Sequence, residues 1–214
     1  MDDLLYSGAV IFGYLLLAVT ISFCMYLNYL GFSSPFRTKI RAIRKLASYF
    51  NGNIPWYSFF NCFKGEYRGL YFSVSIFDVG KDEAMRGHRY RLFISLYKKA
   101  SFKLKILVPT ITYSIRWNLP FANRINLAQP GFEKDFNISS DNASEAAAFL
   151  QSEKIVGIIK DLFKDRFEFL LIDNEGILIW RWESCLYPEL ESAFEPRKIE
   201  AIIIKLYTLA QHLR

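Results

Sequence analysis

The chain has 214 residues, 52% of them hydrophobic and 17% aromatic, with a formal net charge of +6. That apolar content excludes a disordered chain, which cannot bury enough surface to fold, and the length holds one ordinary domain plus an appendage. Three cysteines without paired spacing exclude a disulfide framework and a zinc cluster, as expected of a reducing compartment.

From Leu4 to Phe32 no residue is charged. As one helix this run extends roughly 40 Å at about 1.5 Å per residue, more than a hydrocarbon core of about 30 Å. Tyr6, Tyr26 and Tyr29 suit the two interfaces. The start, Met1-Asp2-Asp3, is acidic where a signal peptide is basic, and no A-x-A cleavage site follows. The pattern predicts an external tail at 1–3, a transmembrane helix over 4–32 and an integral, one-span contact with the bilayer. Basic residues follow the run and acidic ones precede it, which predicts the remainder on the cytoplasmic side.

Residues 33–50 are expected to form a basic amphipathic helix. Ser33 and Ser34 can cap it and Pro35 suits its first turn. Phe36, Ile40, Ile43, Ala47 and Phe50 share one apolar face, while Arg37, Arg41, Arg44 and Lys45 group on another and Lys39 falls outside both. Cations at a helix start oppose the macrodipole by about 0.3–1 kcal/mol each, and an anionic leaflet offers each about 1 kcal/mol in return. Arg37, Arg41, Arg44 and Lys45 are therefore the expected contacts to anionic lipid headgroups.

A β-rich part is expected over 51–129 and an α/β part of the same domain over 130–214. Apolar residues alternate in 69–78, 89–97 and 102–108, as in antiparallel strands with one wet face. The stretch 79–88 reads as a loop and 109–130, with three prolines, as a long connection. A strand is expected at 135–140. Asn142 and Glu145 form a capping box for the helix that follows. The apolar runs around Asp173-Asn174-Glu175-Gly176 read as a hairpin. A last helix opens at Glu195-Pro196, with Ile199, Ile202, Ile203, Leu206, Leu209, Ala210 and Leu213 in one stripe. Residues 31–130 carry 17 basic and 4 acidic side chains, whereas 131–214 carry 10 and 15.

Chemistry is sparse in this pattern. No glycine-rich phosphate loop, G-x-S-x-G or H-E-x-x-H motif occurs. His88 and His212 have no ligand residues near them in sequence, so no catalytic residue, metal or cofactor is expected. Asp161 and Asp165 interleave with Lys160, Lys164 and Arg166, which points to an ion-paired surface. "RGHRYRLF" shares Arg86, Gly87, Tyr90 and Phe93 with an RNA-binding sheet motif but breaks it at His88, Arg89 and Arg91.

"GFEKDFNISSDNASEAAAFLQSEKIVGIIKDLF", "FEFLLIDNEGILIWRW" and the proline-led last helix resemble an uncharacterised group of bacterial proteins, through Phe132, Phe136, Asp141-Asn142, Leu150, Leu162 and Gly176. "FKGEYRGLYFSVSIFD" is similar to that group's first hairpin. The resemblance implies an N-terminal membrane span and a cytosolic α+β domain, in a bacterial inner membrane. The expected function is a membrane-anchored interaction or assembly protein with a protein partner in the membrane or cytosol. The alternatives are an enzyme or small-ligand binder with an unrecognised site, and a membrane-tethered nucleic-acid binder.

Overall fold

The computed structural model describes residues 12–26, 34–58, 61–82, 87–109, 132–185 and 194–213. The chain divides into two units, Met1–Thr38 and Lys39–Arg214.

In the first unit, residues 12–26 form helix α1. Its side chains are exposed throughout, among them Phe12, Leu15, Val19, Phe23 and Met25. The transmembrane helix expected over 4–32 requires correction. Among the described residues no helix is long and apolar enough to cross a membrane. Within α1 the Thr20 hydroxyl turns back to the Leu16 carbonyl at 2.8 Å. Residues 1–11 and 27–33, with Tyr6 and Tyr29, lie outside the described residues.

Helix α2 (Ser34–Tyr49) starts in the first unit and continues into the second. The second unit is α+β. Its strands are β1 (Cys62–Tyr67), β2 (Leu70–Asp82), β3 (Gly87–Leu96), β4 (Leu104–Leu107), β5 (Asn137–Ser140), β6 (Phe169–Ile172) and β7 (Ile177–Cys185). They form one sheet in the order β1-β2-β3-β7-β6-β4-β5, every pair antiparallel. The helices are α3 (Phe132–Asp135), α4 (Ala143–Leu150), α5 (Glu153–Lys164) and α6 (Pro196–Ala210).

Alternation decides which side chains face the helices. Phe72, Val74 and Ile76 on β2, Leu92, Ile94 and Leu96 on β3, and Ile177 and Ile179 on β7 point to one face. There they merge with the apolar sides of α2, α4, α5 and α6 into one core. The whole predicted stripe of the last helix, Ile199 to Leu213, is buried in it. The opposite face holds a second cluster, Phe169, Leu171 and Trp180, ringed by Phe93, Leu107, Leu178 and Trp182.

The hairpin expected around 173–176 is β6–β7. Asp173 Oδ1 accepts from the backbone N–H groups of Glu175 (2.8 Å) and Gly176 (3.2 Å) to close it. The loop expected at 79–88 is shorter than predicted. β2 and β3 stay paired as far as Asp82 opposite Gly87, with a register shift between Asp78 and Gly80, and β7 follows β3 on its other side as far as Cys185 opposite His88. Gly80 absorbs that shift at φ +120°. β1 lies in a stretch without alternation long enough to read as a strand. The connection expected over 109–130 falls, beyond Pro109, outside the described residues.

Asn142 caps α4 as expected, but the return bond of a capping box runs to its side chain, because the Asn142 backbone N–H donates to Ser140 Oγ at 3.1 Å. The Asn142 side chain accepts from Glu145 N–H at 3.3 Å and its Nδ2 donates to Glu145 Oε1 at 2.7 Å. Asn142→Ala is expected to cost about 1 kcal/mol, read as a lower urea midpoint at constant slope.

Candidate functional site

Helix α2 is built two-sided. Ala42, Ile43, Leu46 and Ala47 are buried, whereas Arg41, Arg44 and Lys45 are exposed. At 100° per residue these cations lie within one turn-wide stripe opposite the buried side. Arg37, also exposed, belongs to the first unit. The predicted apolar face is correct at Ile43 and Ala47, while Ile40 and Phe50 are half-buried and the Phe36 side chain is outside the described residues. Sequence reading missed Ala42 and Leu46, so the buried side is rotated from the one expected.

Lys39, the misfit of the sequence pattern, points inward. Its Nζ donates to Asn61 Oδ1 at 2.5 Å. Burial lowers its pKa, and the charge of Asp78 works against that shift.

The far end of α2 is fixed by a left-handed stop. Asn51 has φ +49°, its N–H reaches Ser48 O at 3.4 Å, and Gly52 N–H reaches Ala47 O at 2.7 Å. These are the two bonds of a Schellman motif. Phe50 then stacks on Phe63 at 5.9 Å and meets Phe72 edge-on at 5.2 Å, clamping the helix to β1 and β2. Tyr49 donates to Glu200 of α6 at 2.6 Å, a bond that raises the tyrosine pKa.

The nucleic-acid alternative drew on Tyr90, Arg89 and Arg91, with Lys103 and Lys105 on a neighbouring strand. Tyr90 is 1% exposed and belongs to the helix-covered face, so it cannot stack on a base. β3 is flanked by β2 and β7, so β4, with Lys105, is not its neighbour. Arg91 lies on the opposite face, its guanidinium 4.1 Å from the Trp182 ring centre and 5.2 Å from that of Trp180. Glu168 sits close enough for the two charges to act on each other. Burial nonetheless dominates, raising the Glu168 pKa and lowering that of Arg91. Lys105 is likewise lowered by burial.

Neither a protein-family model nor a curated protein sequence matches the chain. A solved structure does. The crystal structure of the mycobacterial trehalose monomycolate transport factor A, TtfA, is similar with a TM-score of 0.52 at 12% sequence identity, over 83% of this chain and 97% of that one. The likeness shows the fold.

Two cavities are lined by described residues. One of about 260 Å³ brings His212 together with Glu145, Ser101 and Ser152 over Phe102 and Phe149, a grouping invisible in sequence. Both Glu145 oxygens already accept, from Asn142 Nδ2 at 2.7 Å and Ser101 Oγ at 2.5 Å, so the carboxylate serves the helix start. The other, of about 340 Å³, lies where β3, β6 and β7 end, over Leu171 and Leu178 with Asp173 and Glu175 at its rim. Among the described residues no group of three or more metal-binding side chains converges. Asp161 pairs with Lys164 at 3.3 Å as the spacing implied, whereas Asp165 pairs with Lys205 of α6 at 2.6 Å, a contact only the fold creates. Cys24 and Cys62 are free thiols.

Proposed function

We propose that this chain is a non-enzymatic interaction or assembly factor whose α+β unit rests peripherally on an anionic lipid surface through the exposed side of α2. The observation that carries the reading is the division of that helix. Ala42, Ile43, Leu46 and Ala47 are committed to the core, and Arg41, Arg44 and Lys45 face solvent on a helix without an acidic residue. Contact of this kind needs no span. The excess of 17 basic over 4 acidic residues in 31–130 supplies a longer-range attraction of the same sign. Assembly with a protein partner belongs to the same reading. The name of the fold neighbour, a transport factor, is in keeping with an accessory role, and its 12% identity carries no site residue across.

Each cation near an anionic leaflet contributes about 1 kcal/mol. Changing Arg41, Arg44 and Lys45 to Gln is therefore expected to weaken binding roughly a hundredfold. The full chain is mixed with vesicles of phosphatidylcholine alone, or of phosphatidylcholine and phosphatidylglycerol in equal parts, and sedimented. Wild type should prefer the anionic vesicles and lose that preference as salt shortens the Debye length from about 10 Å at 0.1 M to about 3 Å at 1 M. The Gln variant should show no preference while keeping its circular dichroism. Equal binding of wild type to both vesicles, or an unchanged preference in the variant, overturns the reading.

A further inference from the structure

Asn51 and Gly52, which follow helix α2, are the one Asn-Gly pair in the chain. Such a pair is open to deamidation, because a glycine nitrogen has no neighbouring side chain to hinder its approach to the preceding amide. The main-chain nitrogen of Gly52 attacks Asn51 Cγ, a C–N bond forms, and the side-chain nitrogen leaves as ammonia with the proton the glycine gives up. Water then opens the resulting succinimide at either carbonyl, leaving aspartate or isoaspartate at position 51. No electrons change hands and water is the only co-reactant. The isoaspartate routes the main chain through the β-carboxyl and lengthens it by a methylene.

The fold uses both residues. Asn51 sits at φ +49°, a left-handed position that asparagine tolerates better than most side chains. Gly52 passes so close to β1 that an added Cβ would stand 2.5 Å from the Lys64 carbonyl oxygen and 3.1 Å from the Phe63 ring. The contacts that demand the pair also hold it unreactive. Gly52 N–H donates to Ala47 O at 2.7 Å, which ties up the attacking nitrogen. Just beyond, Asn53 N–H donates to Lys64 O at 2.7 Å and Lys64 N–H to Asn53 O at 2.8 Å, pinning the chain to β1. Attack on Cγ needs the Gly52 nitrogen to give up its proton and its peptide plane to turn toward the side chain. Both steps break the bond to Ala47. Asn51 itself is exposed, so water reaches its amide. Backbone geometry is what protects it.

We propose that Asn51 is a deamidation site controlled by the stop of α2, closed while the helix is seated on β1 and β2 and converted once its end comes away. Phe50, stacked on Phe63 and edge-on to Phe72, is the clamp that sets how often it does. Conversion is one-way. Isoaspartate carries Gly52 N–H out of reach of Ala47 O, and either product places a carboxylate at the negative end of the helix dipole. A released α2 therefore does not reseat as before. The chain keeps a lasting chemical mark of the helix having left the sheet.

The test follows the full chain at mildly alkaline pH, kept folded in buffer or unfolded in guanidinium chloride. Samples are digested at intervals, and the peptide holding residue 51 is assayed by mass spectrometry and by labelling with an isoaspartate-specific methyltransferase. Conversion should be about tenfold or more slower in the folded chain, since losing a backbone hydrogen bond and a ring clamp leaves only a minor open fraction. Phe50→Ala, its fold checked by circular dichroism, should lose most of that protection while converting at the wild-type rate in guanidinium chloride. Phe50→Leu takes its place if the Ala variant does not fold. Converted chain, refolded and purified, should unfold at a lower urea midpoint than the unconverted chain. Equal rates in buffer and in guanidinium chloride overturn the proposal, as does full protection in a folded Phe50 variant or an unchanged midpoint after conversion.

Discussion

Gly176→Ala is expected to destabilise the α+β unit by about 3 kcal/mol or more. Gly176 has φ +146°, a conformation that L side chains rarely adopt, and an added Cβ would run into the Leu96 carbonyl oxygen and stand 3.1 Å from Lys98 N. Backbone strain alone costs about 1–3 kcal/mol. The collision adds a cost of similar size because its partner is main chain of β3, which cannot swing aside. Gly69→Ala is the control. Gly69 has φ +81° but nothing within 4 Å of the added atom, so only the strain remains. Urea unfolding followed by circular dichroism should show a clearly larger loss of midpoint for Gly176→Ala than for Gly69→Ala, with unchanged slopes. Equal losses would mean that the close approach of the β6–β7 turn to β3 carries no energy.

Phe72→Ala is expected to cost about 3–5 kcal/mol. The ring is fully buried on β2 and makes edge contacts with Phe50 at 5.2 Å and Phe63 at 5.8 Å, so its loss unclamps α2 as well as opening a cavity. Gly65 on β1 lies directly opposite, and a methyl group there would stand 2.6 Å from Phe72 Cζ. Gly65→Ala should therefore destabilise the wild-type chain but be neutral or restoring in the Phe72→Ala background. A double-mutant cycle reads this coupling directly. Additive costs would show that Gly65 is not glycine for the sake of the ring.

Local periodicity made much of the second unit legible. The last helix could be read with its whole buried stripe, because a proline start and apolar residues every three or four positions leave a helix one side to bury. The cap at Asn142 and the turn at Asp173–Gly176 were equally plain, since both depend on side chain-to-backbone bonds over three residues. β1 could be read only through the resemblance of residues 63–78 to a first hairpin, because Gly65 interrupts its alternation. The reason for that glycine, the ring of Phe72, sits on another strand. The extension of β2 and β3 escaped notice for a related reason, since Gly80 and the charges around it look like a loop when the partner strand is not in view.

The candidate contact surface divides in the same way. Arg41, Arg44 and Lys45 could be placed on one side of a helix from spacing alone, but Lys39 carries the same charge and is turned inward by Asn61, 22 residues away.

By itself the sequence determined the antiparallel strands around residues 69–108 and 169–182, the starts of α4 and α6, and the basic side of α2. All of these follow from patterns repeating over two to four residues. Tertiary structure alone decided two things. β7 lies between β3 and β6, which removes β4 from β3. Tyr90 belongs to the core and Arg91 to the tryptophans of the opposite face. The physical reason is common to both. Composition and period say that a segment is apolar or alternating, but which partner covers it depends on contacts between residues far apart in the chain.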